Sequence, residues 1–221
     1  MRPKLHITEL LILIIIFLPF IYLAIVFKNL PQTVPTHFDL NGKPNAMSDK
    51  SSLWFILSIT GVISVLLYLL MRFLPSIDPK KKAKYSAPVF NKIAVAVVLL
   101  LCIINCLIIN SAQKGFLNFQ NIFPAIIGAF FAFMGNIMHS IKPNYFAGIR
   151  TPWTLENEEV WRKTHQLGGK LWFIGGIVIA ITGLLFPLNI STFFLIGIII
   201  ILVVVPVAYS YQQFKLIQKK S

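Results

Sequence analysis

The sequence predicts an all-α membrane protein. It reads as a bundle of six transmembrane helices with both termini in the cytoplasm, an ordered extracellular loop over residues 28–52, and a cytoplasmic interfacial helix over about 155–167. Three observations carry that prediction. Hydrophobic residues make up 57% of the 221 residues and charged residues only 12%, about half the charged share of an ordinary soluble domain. The apolar residues lie in long blocks rather than at the 3.6-residue spacing of a surface helix. Lys and Arg sit between the blocks, and successive loops are alternately rich and poor in them.

The first block, Leu10 to Phe27, is 18 residues without a charge, about 27 Å as a helix and close to the thickness of a bilayer's hydrocarbon. It exceeds a signal-peptide core, and no small-residue cleavage site follows it. The further blocks are Leu53–Met71, Ile93–Ala112, Ile122–Met138, Leu171–Leu188 and Ile190–Phe214. Each must be helical, because lipid offers no partner to an unpaired backbone group. With the N-terminus inside, sixteen Lys and Arg fall on inner segments and four (Lys28, Lys43, Lys50 and Lys114) on outer ones. The last two blocks are joined by so few residues that they form a helical hairpin. Pro206 is expected to kink the second arm, and Gly175, Gly176 and Gly183 give the first a smooth side for close packing. The chain divides into a two-span module over residues 1–75 and a four-span module over 76–221.

The net charge of +13 belongs to these loops, not to one face or groove, so direct nucleic-acid binding is not indicated. Lys80, Lys81, Lys82 and Lys84 read first as a retention signal that fixes topology, with anionic membrane lipids or an acidic partner as the alternative readings. Cys102 and Cys106 lie one helical turn apart in an apolar run. They imply no disulfide, and nothing nearby completes a metal site.

Two segments outside the blocks are dense in special residues. In the outer loop, Thr36 to Leu40 reads as a short extended piece and Asn41-Gly42 as a tight turn. Pro31, Pro35 and Pro44 keep the rest from becoming helical. Pro35, Thr36, His37, Phe38, Asn41 and Gly42 are the candidate recognition residues. His37 beside Asp39 is either a metal- or pH-sensing pair or a surface hydrogen bond. In the inner loop, Lys142-Pro143-Asn144 is followed by Gly148, Arg150, Thr151, Pro152 and Trp153. Thr154 then looks like a helix N-cap, with Glu156, Glu158 and Glu159 after it and Arg162, Lys163 and His165 later, as the helix dipole favours. Val160, Trp161, Thr164 and Leu167 share a face, with Trp153 and Trp161 as interface anchors. Gly168-Gly169 is expected to end this helix. Asn105, Asn110 and Asn136 read as interhelical hydrogen bonds. His6 and Glu9 sit at the inner edge of the first block. No acid lies in mid-block, as a proton pump needs. The motifs of zinc hydrolases, phosphate-binding loops, serine hydrolases and dithiol redox sites are missing, and no cofactor is indicated.

Gly135-Asn136, Lys142-Pro143-Asn144, Gly148-Ile149-Arg150-Thr151-Pro152-Trp153-Thr154, Val160-Trp161, Thr164 and Gly168-Gly169 together resemble the SdpI family of bacterial membrane proteins. Leu30-Pro31, Val34-Pro35-Thr36-His37-Phe38 and Asn41-Gly42 resemble the small module of unknown function that often precedes that region. The two resemblances cover roughly residues 10–60 and 125–190. They imply a non-enzymatic role in the bacterial cytoplasmic membrane: immunity to a secreted sporulation-delay peptide toxin. They also imply signalling by drawing a winged-helix repressor to the inner face. A transporter or channel for a peptide or small solute and a lipid or envelope enzyme are the alternative readings.

Overall fold

The computed structural model describes residues 7–39, 43–79, 86–115 and 122–219. Asn41 and Gly42, the Lys80 to Lys84 cluster and His6 lie outside the described residues. The elements in order are α1 (Ile7–Val26), a 3₁₀ turn (Phe27–Asn29), β1 (Thr33–Phe38), β2 (Pro44–Asp49), α2 (Ser52–Ile77), α3 (Ala87–Lys114), α4 (Ile122–Met138), α5 (Pro152–Glu156), α6 (Glu158–Leu185) and α7 (Leu188–Gln218). Five of these helices, α1, α2, α3, α6 and α7, are long and apolar enough to cross a membrane; α4, at 17 residues, is shorter. Their large side chains point outward in number, Phe17, Phe55, Ile174 and Phe193 among them, as lipid requires and water forbids. The chain is a multi-pass membrane protein.

The helices fall into two compact units, one of residues 1–70 with 94–120 and one of 71–93 with 121–221. In the first, Leu23, Leu30, Val34, Leu53, Leu57, Ile109 and Ala112 form the core, with Phe27 and Trp54 against it. Asn105 Nδ2 donates to Thr60 Oγ1 at 2.9 Å, an interhelical bond of the kind its position predicts. The outer loop is a two-stranded antiparallel hairpin, more regular than the short extended piece expected: Thr33 pairs with Asp49 and Phe38 with Pro44. Val34 and Pro35 are buried while β2 is almost wholly exposed. Asp49 closes the base of the hairpin just before α2, accepting from Ser51 N at 2.8 Å and Gln32 Nε2 at 2.6 Å. The Ser51 hydrogen bonds hold its carboxyl below the usual range.

In the second unit α4 and α6 run antiparallel with backbones in contact. A Cβ added at Gly128 would stand 2.5 Å from Gly176 O, one at Gly169 2.8 Å from Gly135 O, and one at Gly183 2.7 Å from Pro124 Cβ. The glycines of α6 thus serve close packing, as expected. α7 packs antiparallel on α6 through the Phe186-Pro187 turn, with Gly175 facing Ile198 and Leu202.

The inner helix differs from expectation in three ways. It does not end at Gly168-Gly169: α6 runs unbroken from Glu158 to Leu185, its polar first half continuing into the apolar stretch from Leu171. Two interior glycines cost a helix about 1 kcal/mol each. Here a Cβ at Gly168 would strike Ile149 and one at Gly169 the backbone of α4, so tertiary packing outweighs propensity. The caps also move. Thr151 caps α5 in a reciprocal box with Thr154, and Asn157 Oδ1 caps α6 by accepting from Glu159 N and Val160 N at 2.9 and 3.0 Å. Trp161 is no interface anchor; it is 2% exposed, inside the protein.

Candidate functional site

The inner loop between α4 and α5 has no regular secondary structure, so its backbone groups need other partners. Asn144 supplies them. It is 0% exposed, and its Nδ2 donates to Lys142 O and Ala147 O at 2.9 and 3.0 Å. Its Oδ1 accepts from Phe146 N and Ala147 N at 2.8 and 2.7 Å. One amide therefore satisfies four backbone groups and sets the turn. Pro143 beside it is buried and stiffens the approach. Two more side chains hold the loop from a distance. Ser86 Oγ accepts from Lys142 N at 2.8 Å, and the buried Asp78 accepts from Tyr145 N at 3.2 Å. Sequence reasoning missed both. The only local signal was an acid and a serine just outside the ends of α2 and α3.

The second layer is aromatic. Trp161 stacks on His165, centroids 4.1 Å apart and planes 17° off parallel, and its Nε1 donates to Ile141 O at 2.8 Å. His165 is buried at 1% exposure and accepts at Nε2 from Ile149 N, 3.0 Å away. Its Nδ1 lies 2.8 Å from Trp161 O. An N–H at one ring nitrogen and a carbonyl at the other require the neutral ring protonated on Nδ1. His165 precedes the apolar stretch of α6 that begins at Leu171. Gly148 crosses over this pair with φ of +113°. A Cβ there would strike His165 Nε2 and reach 3.2 Å from the Trp161 ring, so both conformation and space demand glycine. Sequence reasoning counted His165 only as a late cation; its charge is excluded by these partners.

The third layer is hydroxylic. Thr154 Oγ1 donates to Ile149 O at 2.9 Å, and Thr151 Oγ lies 3.1 Å from Ser210 Oγ, fastening the loop to α7. Thr164 is fully buried with no partner for its hydroxyl among the described residues. Around this interior runs an exposed rim: Lys142, Tyr145, Phe146, Arg150 and Pro152. Arg150 Nη1 donates to Tyr145 O at 2.8 Å, and half-buried Trp153 packs on Tyr211, over which Lys215 sits at 4.6 Å.

The structure therefore brings Pro143, Asn144, Thr151, Trp161, Thr164, Gly168 and Gly169 together as interior support, lays exposed Gly148 over the Trp161–His165 pair, and leaves Lys142, Arg150, Pro152 and Trp153 on or near a basic, aromatic rim. Asn136 stands apart, exposed on α4 rather than bonded between helices. Both nitrogens of His165 are engaged by backbone groups, Ile149 N at one and Trp161 O at the other. Among the described residues no three His, Cys, Asp or Glu side chains converge as metal ligands. In the hairpin, His37 Nδ1 lies 2.5 Å from Asn45 Oδ1, across the strands, and Asp39 Oδ1 accepts from Lys43 N at 2.8 Å. Thr36 Oγ1 lies 3.3 Å from Ser48 Oγ.

Residues 14–62 match a domain of unknown function, DUF1648, and contain the hairpin. The protein named Immunity protein SdpI of Bacillus subtilis (strain 168) is 27% identical over 204 residues, covering 92% of this chain and 94% of that protein. No solved structure gives a significant match. Residues 140–210, which contain the inner loop with α5, α6 and most of α7, match the SdpI/YfhL protein family.

Proposed function

We propose that this chain is an immunity protein of the bacterial cytoplasmic membrane that protects its cell from a secreted peptide toxin. The observation that carries the reading is similarity over nearly the whole length to a protein named for immunity. The rigid inner loop within the matched region supports it. In this reading α4 is the sixth span. It is about 25 Å long at 1.5 Å per residue, and its antiparallel backbone contact with α6 supports membrane insertion. Both termini are then cytoplasmic. The hairpin faces outward and meets the toxin through Thr36, His37, Phe38, Asn41 and Gly42, while buried Pro35 shapes the strand from inside. The rim of Lys142, Arg150, Pro152 and Trp153 faces the cytoplasm, where exposed cations and aromatics suit a protein partner such as a winged-helix repressor.

The test is survival of a toxin-sensitive bacterium that expresses the protein and is challenged with sporulation-delay toxin. A second strain carries Arg150→Ala with Trp153→Ala. Protection by the native protein is expected, with loss in the variant at equal membrane abundance. No protection from either protein removes the immunity reading for that toxin and shifts weight to a solute transporter. Protection unchanged in the variant removes the rim from the mechanism.

A further inference from the structure

Beside the inner loop, where the polar half of α6 meets the end of α4, lies a groove of about 540 Å³, within the range of small-ligand sites. Its floor is the Gly135–Gly169 contact, where the helices touch backbone to backbone. A side chain at either glycine would fill the notch. Asn136 on α4, His139 just past its end, and Gln166 and Lys170 on α6 rise around it, all exposed, and no carboxylate is among the lining residues. None of these four side chains makes a hydrogen bond or ion pair with another described residue. One ammonium, one imidazole and two amides thus converge, uncommitted, on one space. That donor set suits a phosphate-bearing anion.

One wall distinguishes the source of that phosphate. Phe173 lines the groove at 43% exposure, and beyond it Ile174 and Ile177 continue along α6 at 60% and 40%. The site therefore opens directly onto the apolar, lipid-facing stretch of the helix. We propose that this groove binds the headgroup of an anionic phospholipid, the phosphate held by Lys170, Gln166 and Asn136 and the acyl chains laid over Phe173. A free phosphate would use the polar end and leave the apolar wall bare. A zwitterionic lipid would use the wall but bring its own cation to Lys170.

The test uses the full-length protein in a non-ionic detergent. Retained lipid is counted by native mass spectrometry and the thermal midpoint is measured with added phosphatidylglycerol, phosphatidylcholine of the same chains, or inorganic phosphate. Phosphatidylglycerol is expected to be retained and to raise the midpoint. Lys170→Ala with Gln166→Ala is expected to weaken that retention about tenfold, the loss of one or two charge-assisted hydrogen bonds. Arg162→Ala, which removes an exposed charge from the same helix outside the groove, is expected to change nothing. Because Lys170 and Gln166 are exposed, the lipid-free midpoint of the double variant should match the native one; a fall there is met by repeating the retention assay on Asn136→Ala, which must show the same loss. Equal retention of phosphatidylcholine, equal stabilisation by inorganic phosphate, or undiminished phosphatidylglycerol retention in the variants would each overturn the proposal.

Discussion

Replacing Asn144 by alanine tests whether the inner loop is held from inside. The substitution leaves the N–H groups of Phe146 and Ala147 and the carbonyls of Lys142 and Ala147 without their partner. A buried unsatisfied donor costs about 1–3 kcal/mol, and a carbonyl with a second lone pair less. With the residue at 0% exposure little water can enter without the loop opening, so a loss of about 3–4 kcal/mol is expected. For a chain of this size that corresponds to a fall of about 6–16 °C in thermal midpoint. The assay is thermal unfolding of purified protein in detergent, with Lys142→Ala beside it as an exposed change in the same loop that should leave the midpoint within about 2 °C. A midpoint for Asn144→Ala within the same 2 °C would refute the reasoning, since it would mean that the turn is set by Pro143 and Gly148 alone.

Gly176→Leu should separate α4 from α6, because its Cβ would stand 2.5 Å from Gly128 O; membrane abundance measured by immunoblot should fall severalfold, while Gly197→Ala, with nothing within 4 Å, should hold or gain up to about 1 kcal/mol from helix propensity. Thr151→Val removes the α5 cap and the contact to Ser210, and should cost about 1–2 kcal/mol in the same thermal assay. His165→Ala removes the acceptor of Ile149 N and the ring stacked on Trp161, and should cost about 1–3 kcal/mol in the same assay; an unchanged midpoint would count against the buried ring as a support of the loop.

The membrane-length helices were legible because lipid imposes a long, charge-poor pattern that nothing else explains. The outer loop was legible in part. Its prolines exclude helix, but the pairing of Thr33 with Asp49 depends on burial of Val34 that no local pattern announces. The inner loop was harder. Thr151-Pro152 and Asn157-Glu158-Glu159 are both good helix starts, with proline at the first helical position of one and acids in the first turn of the other, yet Thr154 lies between them and looks equally suitable alone. Gly168-Gly169 looked like a stop because local propensity says so. It is an interior packing site because Ile149 and Gly135 occupy the space a Cβ would need. Asp78 and Ser86 were out of reach for a different reason: their partners are 67 and 56 residues away, and no spacing rule connects them.

The glycine contacts between α4 and α6 have a mechanical consequence. Backbones that meet at Gly135–Gly169, Gly128–Gly176 and Pro124–Gly183 leave no layer of side chains to shear, so the two helices cannot slide by a fraction of a turn without collision. They act as one stiff rod, with the inner loop capping one end and Pro124 and Gly183 at the other. A force applied at either end reaches the opposite end as tilt or rotation of the whole rod, not as a rearrangement along it.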